Sequence, residues 1–237
     1  MEALKATGVS RKYGRQQVLD GFDLTLEAGS FEALMGPSGI GKSTFLHLAA
    51  GLLAADAGSI LIGGKDVVKM GDAEVTKFRL RHIGVVFQQF NLLNEKTVEE
   101  NIVLPVKLDG GKVDQSRLAA LVSRLGIADK LARKPEELSG GEQQRVAIAR
   151  ALMMEPDVIL ADEPSGNLDA KAAKDICILL KELNQTEKSA ILVVTHDPVV
   201  AACATKVNFL RDGRIAATYE TQGDAARVSQ LYLETYK

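Results

Sequence analysis

The sequence predicts an α/β fold: a parallel sheet with helices on both faces, an antiparallel β region near the N-terminus and a helical insert in the middle. Three observations carry this. Apolar alternation runs through "LKATGVS" (4–10) and "QVLDGFDLTLEAGSF" (17–31), as in half-buried antiparallel strands. Short apolar runs, "FEALM" (31–35), "IGVVF" (83–87), "DVILADE" (157–163) and "AILVVTHD" (190–197), are linked by helical stretches, the pattern of a buried parallel sheet. From Val98 to about Met154 no strand pattern occurs.

In chain order, Ala28-Gly29 is a turn before "FEALM", which leads into the loop Gly36 to Gly41 and a helical run, Lys42 to Leu52. "SILI" (59–62) is a strand ended by the turn pair Gly63-Gly64. "TVEENIVLPVKL", "DQSRLAALVSRLGI" and "GGEQQRVAIARALMM" have helical spacing, broken at Pro105, Gly110-Gly111, Gly126 and Pro135. Lys171 to Asn184 is a further helix. "KVNFLRDGRIAATYE" is a hairpin whose Asp212-Gly213 suits a type I′ turn. The expected organisation is one domain, 1–237, with a core formed by 1–88 and 155–237 and the helical insert at 89–154.

Composition narrows the function classes. Hydrophobic residues are 46% and charged residues 25%, with net charge -2, so no basic surplus points to nucleic acid. The longest apolar stretches, Phe45 to Ala55 and Ala190 to Val194, fall short of the roughly 18 residues of a membrane span. The opening residues lack the apolar core of a signal peptide, and the expectation is a soluble, cytoplasmic chain. Cys177 and Cys203 lack metal-ligand spacing and read as isolated, buried, reduced thiols.

"GPSGIGKS" (36–43) satisfies G-x-x-x-x-G-K-[ST] between a strand and a helix, the context that motif requires. Gly36, Gly39 and Gly41 allow the backbone to curl so that N–H groups point at phosphate oxygens, and the helix dipole adds to them. Lys42 supplies charge for the β- and γ-phosphates, and the Ser43 hydroxyl suits Mg²⁺. The fold class is therefore a P-loop NTPase core that binds a nucleoside triphosphate.

"VILADE" delivers Asp162 and Glu163 to the carboxyl end of a buried strand, where α/β sheets place ligands. Asp162 suits the Mg²⁺ shell and Glu163 a general base on the attacking water, although carboxylates at strand ends also cap helices. His196 follows "AILVVT" at the same sheet edge and is expected to contact the γ-phosphate. Gln88, after "IGVVF", is a neutral group able to bridge Mg²⁺ or water where the core hands over to the insert.

"LSGGEQQR" (138–145) poses a separate question. Ser139 and Glu142 form an S-x-x-E capping box, yet Gly140 and Gly141 each cost a helix roughly 1 kcal/mol relative to Ala. Such glycines make sense where something approaches the backbone closely, and the hydroxyl, N–H groups and dipole together form an anion site.

The ordered set "GPSGIGKST", "VVFQQ", "LSGGEQQR", "VILADEP", "GNLD" and "VVTHD" resembles the ATP-binding cassette ATPases over nearly the whole chain. The resemblance implies a head-to-tail homodimer, with ATP on Gly36, Pro37, Ser38, Gly39, Ile40, Gly41, Lys42, Ser43 and Thr44 of one subunit. Ser139, Gly140, Gly141, Glu142 and Gln143 of the other would close over it. Tyr13 in "RKYG" would stack on adenine, although its spacing equally fits a turn aromatic packed on the β region. Asn167 to Asp169 match the loop that crosses the dimer interface. Ile40 departs from the small or polar residue more usual there.

"FRLRHIGVVFQQFNLL" and "VEENIVLP" look most like the branch serving lipoprotein-releasing, macrolide-export and antimicrobial-peptide-related transporters. The implied function is ATP hydrolysis, with ATP and Mg²⁺, that drives separate integral membrane permease subunits. The chain would sit on the inner face of the membrane through them. The alternative is a non-transport ATPase of the same fold that signals through a membrane partner to cell-wall enzymes.

Overall fold

The computed structural model describes residues 1–237. The first 27 residues form a long antiparallel ladder, β1 (Glu2–Tyr13) with β2 (Gln16–Glu27), turning at Gly14-Arg15. β3 (Phe31–Met35) is buried at every residue and runs into the 36–41 loop and α1 (Lys42–Ala49). β4 (Ala57–Ile62) returns to pair with β1, and the short β5 (Lys65–Asp66) completes that sheet in the order β2-β1-β4-β5. The Gly63-Gly64 turn is present, and both glycines have positive φ.

α2 (Asp72–His82) falls in a stretch that carries no helix expectation. Only Val75 and Phe78 bury themselves, one turn apart, so the apolar signal is too thin to read. β6 (Ile83–Val86) follows directly. Between β6 and residue 154 the regular elements are helices with no strand, the longer ones being α3 (Val98–Ile102), α4 (Leu104–Leu108), α5 (Gln115–Arg124) and α6 (Gly140–Leu152). Pro105 lies in the first turn of α4, where its missing N–H has no helical partner to lose, so it starts this helix where a break was expected.

β7 (Val158–Asp162), α7 (Ala170–Glu187), β8 (Ala190–Thr195), α8 (Pro198–Ala201), β9 (Lys206–Arg211), β10 (Arg214–Glu220) and α9 (Ala225–Thr235) complete the chain. α9 was not anticipated. The main sheet has the order β10-β9-β3-β8-β7-β6, parallel throughout except for β10, which pairs antiparallel to β9 through the predicted turn. Asp212 and Gly213 there have φ of 49° and 76°, the signs a type I′ turn needs.

Alternate strand residues divide the interior. Phe31, Ala33, Ile159, Ala161, Ile191 and Val193 face the side of α3, α5, α6 and α7. Leu34, Val158, Leu160, Leu192 and Val194 face α1 and the β region, where Phe22 and Phe45 meet at 4.4 Å between ring centroids. The thiols are not isolated. Cys177 on α7 and Cys203 beyond α8 meet across 26 residues of chain, Cys177 buried and Cys203 only partly so; the bond from the Cys177 thiol to Cys203, helped by burial, raises the Cys177 pKa, and the same bond lowers that of Cys203 against the effect of burial. No helix is long and apolar enough to cross a membrane.

Candidate nucleotide site

The loop after β3 is shaped by steric necessity. Gly41 has φ of 115°, and a Cβ there would lie 2.8 Å from Val18 Cγ1 and 3.0 Å from the Val18 carbonyl oxygen. Both constraints admit only glycine. Because α1 has no side-chain cap, the N–H groups of Lys42, Ser43 and Thr44 are open to an anion at the positive end of the helix. Ser38 and Gly39 form the exposed crest of the loop, while Ile40 folds back toward Gly36.

Lys42 is only 5% exposed, and its ammonium donates to the carbonyls of Gly36 (2.8 Å) and Pro37 (3.0 Å). Burial pushes its pKa down, while the charges of Glu163 and Asp162 oppose that shift. A buried cation held by neutral carbonyls beside an uncapped helix start fits a polyanionic ligand.

Asp162 closes β7 and faces α1. Its Oδ1 accepts from the Ser43 hydroxyl at 2.8 Å, and burial raises its pKa. His47, one turn beyond Ser43 on the same helix face, brings Nε2 to 3.9 Å from Asp162 Oδ2. The sequence reading missed His47, although its i+4 spacing from Ser43 was visible. One carboxylate and one hydroxyl are hard oxygen donors of the kind Mg²⁺ takes together with substrate phosphates and waters.

Glu163 is the first residue past the strand and has φ of 45°, a left-handed backbone that costs a non-glycine residue of order 1 kcal/mol. Its N–H donates to the Val194 carbonyl (2.9 Å), and this anchor turns the side chain toward β8. There Oε2 accepts from the Thr195 hydroxyl (3.1 Å), and His196 Nδ1 donates to Oε1 (2.8 Å). An ionised carboxylate only accepts, so the Nδ1 proton is fixed and Nε2 is the ring's remaining polar atom. Thr195 was not singled out in the sequence, because a threonine inside an apolar strand reads as β-branched core.

The other candidates lie outside this cluster. Gln88 exchanges contacts with Asn167, whose amide donates to the Gln88 carbonyl at 2.9 Å, and its side chain lies over Gly166, where a Cβ would sit 2.7 Å from Gln88 Nε2 and push that side chain aside. Asp169 caps α7, accepting from the Ala172 N–H at 2.8 Å. Tyr13 ends β1, is 48% exposed and has the Arg11 guanidinium carbon 5.1 Å from its ring centroid.

Around Ser139 the capping box forms as expected. The Ser139 N–H and hydroxyl both reach Glu142 Oε2, at 2.8 and 2.9 Å, and Lys130 stands 3.6 Å from the other oxygen. The Glu142 carboxylate is thus engaged within its own chain, and the Ser139 backbone bond holds its pKa low. A Cβ on Gly140 would press on Leu168 at 3.3 Å, and one on Gly141 would touch Ala172 at 3.5 Å. Gly140 therefore eases the packing of α6 against the segment leading into α7, whereas the Gly141 contact is an ordinary one that a methyl group would tolerate. None of their bonds reaches residues 36–44.

A family profile described as ABC transporter matches residues 19–166. The chain belongs to the ATP-binding cassette transporter family. The bacitracin export ATP-binding protein BceA of Halalkalibacterium halodurans is 39% identical over 96% of this cassette and 92% of its own length. The lipoprotein-releasing system ATP-binding protein LolD 1 of Rhodopseudomonas palustris is 40% identical over 91% of the cassette and 99% of its own length. Among solved structures, the dimeric bacterial cassette MJ0796 superposes with a TM-score of 0.83 at 37% identity, covering 92% of this chain and 99% of that one. A post-hydrolysis dimer of MJ0796 with ADP and Pi gives 0.82 at 36% identity, with the same coverage of both chains. The cassette is an ATP-binding, ATP-hydrolysing transporter subunit.

Proposed function

We propose that this cassette hydrolyses ATP as a head-to-tail homodimer on separate permease subunits at the cytoplasmic face of a membrane. The observation that carries the reading is the convergence of Lys42, Ser43, Asp162, Glu163 and His196, from three distant segments, on one sheet edge. Lys42 and the N–H groups of 36–44 take the phosphates. Ser43 and Asp162 would hold Mg²⁺, with Gln88 as a further oxygen donor; the ion would neutralise phosphate charge when bound. Glu163 accepts a proton from the attacking water, and Thr195 and His196 hold its two oxygens in place. For His196 to donate to the γ-phosphate while keeping its Glu163 bond, Nε2 must also carry a proton.

The dimeric state of the MJ0796 cassette supports a trans site. Each chain offers a complete phosphate loop and, separately, an exposed Ser139 at a helix start, so two copies would supply both halves of two sites. Asp169 and Asn167 would lie between them, and Tyr13 would stack on adenine. Relatives named for bacitracin export and lipoprotein release favour transport over signalling to cell-wall enzymes.

An apolar groove supports the permease partner. Leu52, Leu80, Val85, Phe87, Pro105 and Met154 line it between α2 and the insert, next to Gln88. A cytoplasmic helix of the permease presenting an apolar face would fill it. Leu80→Asp places a charge in this groove, far in sequence from the phosphate loop. It is expected to leave ATP binding within twofold of wild type while abolishing retention of the cassette on detergent-solubilised permease. Retention at wild-type levels would move the docking site elsewhere.

A further inference from the structure

Gly36, the first residue of the phosphate loop, is crowded although its φ is not positive. A Cβ there would lie 3.0 Å from Ile40 Cγ2, 3.0 Å from the Tyr236 hydroxyl oxygen and 3.1 Å from the Leu210 carbonyl oxygen. One of these neighbours is two hundred residues away in the chain. The Tyr236 hydroxyl sits between two main-chain carbonyls, Leu210 of β9 at 2.6 Å and Met35 of β3 at 3.1 Å. These strands are parallel neighbours whose last pairing is Met35 with Phe209, so the phenol bridges them where β3 gives way to the loop.

The phenol is itself held. Arg211 donates to the Thr235 carbonyl at 2.6 Å, and the rings of Tyr232 and Tyr236 pack at 4.7 Å between centroids. Burial keeps the Tyr236 hydroxyl protonated well above the ordinary phenol range, so it remains a donor. Tyr236 lies just past the end of α9, and no other residue of the site comes from this part of the chain.

We propose that Tyr236 is a positioning residue for ATP binding, its hydroxyl clamping the end of β3 to β9 and so setting the path on which Gly36 leaves the sheet. The proposal rests on the reading of 36–44 as the phosphate site. Its physical basis is pre-organisation: the loop's N–H groups converge on phosphate only if the loop's origin is fixed, and ordering a loose origin is charged against binding. Removing the hydroxyl leaves two carbonyl oxygens facing a ring edge and opens space beside Gly36.

The test compares full-length wild type with Tyr236→Phe, Tyr232→Phe and Lys42→Ala, using a fluorescent ATP analogue for affinity, steady-state hydrolysis for KM and kcat, and thermal unfolding for Tm. Tyr236→Phe is expected to raise the analogue Kd and the KM for ATP about three- to tenfold, the worth of one hydrogen bond, with kcat within twofold at saturating ATP. Tyr232→Phe, which keeps the packing and removes a hydroxyl that does not touch the loop, leaves KM unchanged. A lowered Tm with unchanged Kd and KM in Tyr236→Phe would reduce the residue to a structural role and overturn the proposal.

Lys42→Ala separates the two levels. If it binds the analogue like wild type, the phosphate-loop reading fails; if it loses binding while Tyr236→Phe stays normal, only the clamp fails. A double-mutant cycle adds a readout that stability alone does not move. Gly36→Ala weakens binding by crowding the phenol, and adding Tyr236→Phe relieves part of that loss, so the paired effects fall below additive. Strict additivity would also overturn the clamp.

Discussion

Glu163→Gln is expected to lower steady-state ATP hydrolysis by roughly 10²- to 10⁴-fold, the usual contribution of a positioned general base, and to accumulate an ATP-bound dimer. The substitution is close to isosteric. Its amide oxygen can still accept from His196 Nδ1, and its amide nitrogen can donate to the Thr195 hydroxyl, which already accepts from the Asp197 N–H at 3.0 Å and has a second lone pair. The left-handed turn at 163 is a backbone feature anchored on Val194, and Gln tolerates it no worse than Glu. What disappears is the capacity to take a proton. Phosphate release, measured alongside size-exclusion chromatography with and without ATP, reads both effects; wild-type turnover in the variant removes the base role from Glu163.

Ser139→Arg is expected to abolish hydrolysis, by roughly 10²-fold or more, while leaving nucleotide binding to the monomer within twofold of wild type. The side chain is exposed at the start of α6, and no hydrogen bond ties it to the 36–44 loop of its own chain. Losing the serine cap costs about 0.5–2 kcal/mol of helix stability, a cost Ser139→Ala shares, so comparing the two variants isolates the arginine's bulk and charge. In a head-to-tail dimer that bulk would enter the partner's nucleotide site. Loss of analogue binding by the Ser139→Arg monomer would instead place Ser139 in the site of its own subunit.

The local motifs were legible because each depends on short-range geometry. The strand–loop–helix around Lys42, the carboxylates at the end of β7 and the capping box at Ser139 are all set by residues within a few positions of one another. α2 and α9 were not legible because their apolar faces are narrow: α2 buries only Val75 and Phe78, and α9 only Val228. The cysteines were misjudged as isolated because sequence distance says nothing about packing of α7 against α8.

The glycines of "LSGGEQQR" show both sides of this. From the sequence they imply that something comes close to the helix start, and the fold supplies one such neighbour, Leu168 of the same chain beside Gly140, but none that requires a glycine at 141. The face carrying Ser139 stays exposed, so the same short residues leave room on a second side.

By itself, the sequence determined the α/β class, the phosphate loop and the chemical types gathered for hydrolysis, because those follow from periodicity and from residue types at fixed spacing. Only the tertiary structure decided which groups touch: that Ser43 meets Asp162, that Thr195 and His196 both hold Glu163, and that Tyr236 reaches Gly36. Those contacts join segments more than thirty residues apart, through strand register and helix packing, and hydrogen bonds acting over about 3 Å exist only once the whole sheet has set that register.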